Sequence, residues 1–289
     1  MNLLSSRLHH IVRTRIAAGS MAIPSLPAIT MQILGQLQRP EVDLGRVSDL
    51  IGRDAGLTTQ LLRIARSAAY GGRSDIQTLD QVTTFLGINR LRTAVVEVAA
   101  RKVFRSRDPL ISSACDRLWE HSLAVGILTR ELVRLSSAPI DSEVSYLAGL
   151  LHDVGKPLVA GLLLDAERQL SAFEEEDRWV DGSAWIACVD ELHRSLGMFL
   201  ATSWNLPAIV QTAISDCDTY DLSTPLAIGN IVRTADCLAL REGIALRSPD
   251  PCSVQGGLLV GAALLEIDLE YLEELAVALP ERVREHLSA

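Results

Sequence analysis

The dipeptide His152-Asp153, inside the run Leu150-Leu151-His152-Asp153-Val154-Gly155-Lys156, sets an imidazole and a carboxylate side by side at the end of an apolar segment. Adjacent nitrogen and oxygen donors of that kind suit one divalent metal ion. The chain has six histidines, and two others, His121 and His193, fall on segments of helical periodicity at positions expected to be half-buried. A further carboxylate, Asp236, lies in Val232-Arg233-Thr234-Ala235-Asp236. Two readings of His152-Asp153 stand side by side: metal ligands, or a buried hydrogen-bonded pair that only orients helices. His121 and Asp236 follow whichever holds. His193 is either a group near the site, facing a ligand or a phosphate, or a helix-packing histidine. Lys156 is either a counter-charge for phosphate or a complement to a helix C-terminus. It is one of only two lysines, with Lys102.

The elements that must position these residues read as helices. Apolar residues recur at spacings of three and four, as in Ile29, Ile33, Leu34, Leu37 and again in Leu57, Leu61, Leu62, Ala65. Sustained period-two alternation is absent, so the expectation is an all-α protein, a multi-helical bundle with a smaller helical N-terminal lobe. Asp43, Asp54 and Thr78 are placed to cap helices, Tyr70-Gly71-Gly72 to stop one, and Gly87 to break one between Phe85 and Ile88. A long helix is expected from about Ser112 to Leu135, carrying His121, and another from Asp141 or Ser142 that ends in the His-Asp pair. Gly155 reads as a left-handed residue closing that helix, and Pro157 as unable to extend it. Trp185 to Trp204 reads as one helix, and Pro225 to Glu242 as another. Asp216-Cys217-Asp218 reads as a surface turn, and Glu174 to Asp177 as a solvated charge run. The divisions expected are an N-terminal extension (1–22), an N-terminal helical lobe (23–107), a second helical lobe (108–242) and a C-terminal helical tail packed on it (243–289).

Composition excludes several classes. With 48% hydrophobic residues the 289-residue chain can fill a large core. The uncharged stretch Ser253 to Leu265 is interrupted by three glycines and is too short to span a bilayer, and no membrane insertion is expected. The first twenty residues carry Arg7, Arg13 and Arg15 without the compact apolar block of a secretory signal, so a cytoplasmic location is expected. Five scattered cysteines with no Cys-x-x-Cys argue against a disulfide framework and point to buried thiols. Aromatics at 4% and a net charge of −9 make nucleic acid an unpromising partner. Residues 1–107 nevertheless carry net +8 and residues 108–289 net −17, an asymmetry that serves either binding of an acidic partner or a nucleotide, or the mutual attraction of two lobes.

The order His121, His152-Asp153, Asp236 resembles the HD superfamily of metal-dependent phosphohydrolases, and several segments narrow the resemblance to the HDOD family of bacterial signalling modules. These are Ile23-Pro24-Ser25-Leu26-Pro27; Asp54-x-x-Leu57 with Leu61-Leu62 and Ser67; Ile76-x-Thr78-Leu79 with Leu86-Gly87; Leu118-Trp119-x-His121-Ser122; Ala148 to Lys156; and Trp204-x-Leu206-Pro207. Together they cover most of the chain from about Ile23 to Leu240. The resemblance implies that His121, His152, Asp153 and Asp236 hold one divalent ion, whether Mn, Fe, Co, Zn or Mg. It also implies a regulatory module acting through a signalling protein partner, with homo-oligomerisation open. A one-metal phosphohydrolase acting on a nucleotide or other phosphoester is the alternative, and a metal-free helical adaptor the third reading.

Departures from the family pattern are informative. Asp54-Ala55 replaces a common Asp-Pro, and Arg66-Ser67 replaces Asn-Ser, without touching the metal reading. Ser215-Asp216-Cys217-Asp218 stands where many relatives have His-His, and no Gly-Tyr-Pro occurs. A two-metal phosphodiesterase for cyclic dinucleotides is therefore not expected.

Overall fold

A computed structural model describes residues 24–67, 75–171 and 182–288, with His10, Arg13 and Thr14. The expected extension 1–22 for the most part, Ile23, the Tyr70-Gly71-Gly72 stop and the Glu174 to Asp177 run lie outside the described residues. The chain is all-α: α1 (Ala28–Leu37), α2 (Leu44–Gly52), α3 (Ala55–Arg66), α4 (Leu79–Val103), α5 (Pro109–Leu135), α6 (Ser142–Leu151), α7 (Gly155–Ser171), α8 (Gly182–Ser203), α9 (Ala208–Asp216), α10 (Ile228–Arg241), α11 (Pro251–Leu265), α12 (Leu269–Val277) and α13 (Leu279–Ser288).

Local chemistry explains the boundaries. Asp43 accepts from the Arg46 N–H at 3.1 Å and Asp54 from the Leu57 N–H at 2.9 Å, each satisfying a donor that the first helical turn leaves free. Thr78 and Gln81 form a reciprocal capping box at the start of α4. Gly87 interrupts that helix at φ 66°, ψ 178°, a backbone conformation that residues with a side chain rarely adopt. The helix α5 starts a turn earlier than its periodicity predicts, because Asp108 caps it and Pro109 occupies the first helical position, where no N–H is needed. Asp141 caps α6 through the Glu143 and Val144 N–H groups.

A continuous apolar core runs from Leu26 to Val283. Its centre is the α5/α6 pair, on which α10 lies, and α7 pairs with α8 beside it. Glycine allows the α5/α6 approach: a Cβ on Gly149 would lie 2.7 Å from the Val125 carbonyl oxygen. The stretch Ser142–Arg168 is long and apolar enough to cross a membrane, but 72% of its most apolar window is buried in the fold. Of the five unpaired cysteines four are buried and Cys252 is exposed.

The C-terminal helix α13 is tied in by a buried polar contact. His286 Nε2 lies 2.6 Å from Glu97 Oε1 on α4, and Tyr146 of α6 donates to Glu97 Oε2 at 2.9 Å. Arg130 stacks over the Tyr146 ring at 5.0 Å. Burial pushes the Glu97 carboxyl up, but His286, Tyr146 and Arg130 outweigh it and leave it below its ordinary value. Because the folded value lies below the unfolded one, the unfolded chain binds the extra proton first, and this stabilisation is lost as pH falls. Glu97→Gln is expected to lower stability by about 2 kcal/mol at neutral pH. That difference from wild type should shrink below about pH 4.5, the ordinary carboxylate range. Urea midpoints from pH 3.5 to 7 measure it.

Candidate metal centre

His121 projects from the middle of α5, and Asp236 from α10, which packs across it. His152 and Asp153 occupy the tight turn between α6 and α7. The sequence reading of that turn needs correction. Gly155 does not close α6 in a left-handed conformation: it opens α7 and is absent from the positive-φ residues. Pro157 fits because it lies in the first turn of α7, where a missing N–H leaves no gap in the ladder.

His121 and His193 are more deeply buried than expected, at 4% and 5% exposed, and His152 is 2% exposed. His121 Nδ1 lies 2.8 Å from the Ile244 carbonyl oxygen and His152 Nδ1 lies 2.7 Å from that of Gly149. A carbonyl only accepts, so each Nδ1 carries the hydrogen, and in the neutral ring Nε2 is left with a lone pair. One ligand atom from each of His121, His152 and Asp236 falls within 4.8 Å of the others. His121 Nε2 is 3.1 Å from Asp236 Oδ1, and the two imidazole rings stand 5.4 Å apart.

Asp153, 2% exposed, sits at the edge of this cluster. Its Oδ2 is 3.3 Å from His152 Nε2 and forms an ion pair with Lys156, while Oδ1 is buried with no hydrogen-bond partner. Burial opposes charge on Asp153, but His152, Lys156 and Arg194 hold its carboxyl well below the usual range. Burial likewise opposes charge on Asp236, and the His121 contact overrides it. The donor set fits a divalent ion on these observations: both imidazoles are anchored through Nδ1 and turn Nε2 into one cluster with the Asp236 carboxylate, and one buried oxygen of the adjoining Asp153 carboxylate lacks a hydrogen-bond partner.

A polar cavity of about 280 Å³ adjoins the cluster, lined among others by His152, Asp153, Lys156, His193 and Asp236. His193 bonds the Val189 carbonyl through Nδ1 at 2.9 Å, and its buried Nε2 has no hydrogen-bond partner, 3.7 Å from Asp153 Oδ1. Burial lowers its pKa, favouring the neutral ring.

Two arginines of this cavity escaped the sequence reading. Arg194 donates to the His152 carbonyl at 2.6 Å and forks onto Asp218 at 2.5 and 3.2 Å. Asp218, expected in a surface turn, is thus an anchor for that guanidinium, and Cys217 beside it is buried. Arg233 lies three residues before Asp236, nearly one turn earlier on α10, and its buried Nε has no partner. The i, i+3 spacing was the available signal.

With this geometry in view, the family question is decided by the match of residues 23–219 to the HDOD domain. The chain belongs to the HDOD family. Solved structures similar to this HDOD protein share its fold. A candidate metal-dependent phosphohydrolase from Shewanella amazonensis SB2B aligns over 98% of this chain and 99% of its own, with TM-score 0.77 and 18% identity. An HDOD domain protein of unknown function from Geobacter sulfurreducens aligns over 95% and 98%, with TM-score 0.68 and 23% identity. A candidate signal transduction protein from Marinobacter aquaeolei VT8 aligns over 98% and 65%, with TM-score 0.65 and 16% identity. A curated relative, an uncharacterized protein of Treponema pallidum (strain Nichols), is 26% identical over 192 residues, 66% of this chain. The match spans 37% of that relative's length.

Proposed function

We propose that this HDOD protein is a signal-transduction module in which a divalent ion and a phosphate-bearing ligand, bound at the His121/His152/Asp236 cluster, set the state of the fold read by a partner protein. The observation that carries the reading is the commitment of both imidazole Nδ1 atoms to backbone carbonyls, which turns both Nε2 atoms toward Asp236. His121, His152 and Asp236 would hold the ion, with Asp153 completing the set. A bound ion would supply Lewis-acid stabilisation of phosphoryl oxygens. Lys156, Arg194 and Arg233 would supply the remaining positive charge around a phosphate. The partner would meet the basic N-terminal helices, residues 24–107, whose charge opposes that of the rest of the chain. Unpaired thiols throughout support a reducing, cytoplasmic setting.

Hydrolysis of a nucleotide or other phosphoester is the second reading, favoured by one observation. His193 lines the cavity with a buried, unpartnered Nε2 beside Asp153, and burial favours its neutral ring, the state a proton acceptor needs.

Elemental analysis of protein purified without a metal-affinity tag tests the first reading. About one ion of Mn, Fe, Co, Zn or Mg per chain is expected in wild type, and a loss of at least tenfold in occupancy in His152→Ala with an unchanged helical circular dichroism spectrum. Wild-type protein that is empty and takes up no added ion leaves the metal-free helical adaptor. Phosphoesterase activity that vanishes in a folded His193→Ala variant with its ion still bound supports the second reading.

A further inference from the structure

Beside the polar cavity lies a larger one, of about 880 Å³, between α5, α7, α8, α10 and the start of α11. Lys156, Asp190, Arg233 and Asp236 line both, so the two spaces share a charged boundary. Beyond that boundary the larger cavity is walled mainly by apolar side chains, among them Ile111, Leu118, Leu164, Trp185, Val189 and Leu246. Its size falls in the range of small-molecule sites, and its lining pattern, apolar walls with a few convergent polar groups, is theirs as well.

The charges at the boundary select a head group. Asp190 is paired with Arg247 at 3.0 Å, and Asp236 is held by His121. Arg233 lies over the Tyr220 ring with Nε unpartnered, and Lys156, on α7 and ion-paired with Asp153, lines the same boundary. Two cations and a metal-ready cluster therefore face a ligand there, and an anion with oxygen donors suits them. The walls select the remainder of the molecule. Among the described residues lining the larger cavity, Trp185 is the one aromatic ring besides the His121 imidazole, its indole N–H already donating to Glu167 at 3.2 Å. No Asn or Gln is present to read the edge of a nucleobase, Ser248 and Ser253 are the hydroxyls, and of the charged side chains away from the boundary Glu167 accepts from Trp185, Arg247 donates to Asp190, Asp250 accepts from the Ser253 N–H, and Arg117 completes them. A nucleoside would lose its hydrogen bonds to water on entering such a space, whereas an alkyl body gains by leaving water.

We propose that the joined cavities bind an amphipathic phosphate monoester, its phosphate between Lys156 and Arg233 and its apolar body in the larger space. This rests on the reading of the cluster as a metal and phosphate site. Calorimetry on Mn-loaded wild-type protein, with inorganic phosphate, octyl phosphate and octanol as probes, tests it. Octyl phosphate is expected to bind roughly 100-fold more tightly than either half alone, well short of the full transfer free energy of its octyl chain. Ala160→Trp, which projects a ring into the larger cavity, should remove that advantage, with metal content and circular dichroism checking the fold. Ile186→Glu, at a position 41% exposed, is a second variant with less risk to folding and should do the same by placing a carboxylate there.

An octyl phosphate affinity within threefold of inorganic phosphate, or an advantage untouched by both variants, overturns the inference and leaves the metal and phosphate reading standing. Binding of octyl phosphate no tighter than octanol, with no metal and no inorganic phosphate bound, overturns both. Vesicles of phosphatidylcholine with a small fraction of phosphatidic acid separate the sources. Co-sedimentation lost in Ala160→Trp identifies a membrane lipid, and octyl phosphate binding without co-sedimentation identifies a free amphiphile.

Discussion

Gly155→Ala is expected to destabilise the protein by at least about 4 kcal/mol, or to prevent folding, and to dismantle the cluster with it. A Cβ at Gly155 would stand 2.7 Å from the His193 carbonyl carbon and 2.8 Å from the Gly197 nitrogen, and would overlap the His193 carbonyl oxygen. All three atoms are backbone, so no side-chain rotation relieves the clash; α7 must move away from α8. That displacement separates Lys156 and Asp153 from His193 and Arg194, which lie on the two sides of this crossing. Backbone conformation is not the obstacle, since Gly155 is helical and has no positive φ. Gly161→Ala supplies the comparison: it lies on the same helix with nothing within 4 Å of an added Cβ. There alanine should stabilise by roughly 0.5–1 kcal/mol through helix propensity alone. Urea unfolding followed by circular dichroism, with metal content on the same preparations, measures both. A Gly155→Ala protein as stable as wild type would show that the helices can separate freely and that the crossing does not set the site.

The contrast between what could and could not be read in advance follows the range of each signal. Helical periodicity, the caps at Asp43, Asp54, Thr78 and Asp141, and the break at Gly87 are local, and each can be recognised within a few residues. The convergence of His121, His152 and Asp236 was legible only through the family resemblance, because 115 residues separate the outer pair by number and no periodicity links them. Asp153 with Lys156 could be suspected from spacing alone. Arg194 could not: its partners Asp218 and the His152 carbonyl lie on other elements, and an arginine on a helix otherwise reads as a solvated face. Gly155 was misread for a related reason. A glycine after an apolar helix fits a left-handed cap as well as a close helix crossing, and the second explanation needs the other helix to be known. His286 reaching Glu97 across the whole fold had no local signature either.

The pair Asp153 and Lys156 carries the second large effect. In metal-free protein, Lys156→Met is expected to lower stability by about 3 kcal/mol, because it leaves a carboxylate of 2% exposure without the ammonium that faces it. Arg194 at 3.5 Å and His152 at 3.3 Å remain, but Arg194 is already forked onto Asp218 and bonded to a carbonyl. Adding Asp153→Asn removes the uncompensated charge, so the double variant should recover about 2 kcal/mol, a non-additivity that identifies the interaction as the cause and not lost packing by the lysine stem. The acid limb separates these explanations further. Asp153 is held well below its ordinary value in the folded protein, so its stabilisation is full above the unfolded value near pH 4 and is lost as pH falls toward the folded one. Lys156→Met moves the folded value up toward the unfolded one, which flattens that dependence. The gap between wild type and Lys156→Met should therefore be widest near neutrality and narrow below about pH 4, as protonation removes the charge that the lysine was compensating. Urea midpoints in the presence of a chelator give the gap at each pH. A gap of constant size down to pH 3 would assign the loss to packing, and would mean that Arg194 and His152 suffice to hold Asp153 ionised beside the cluster.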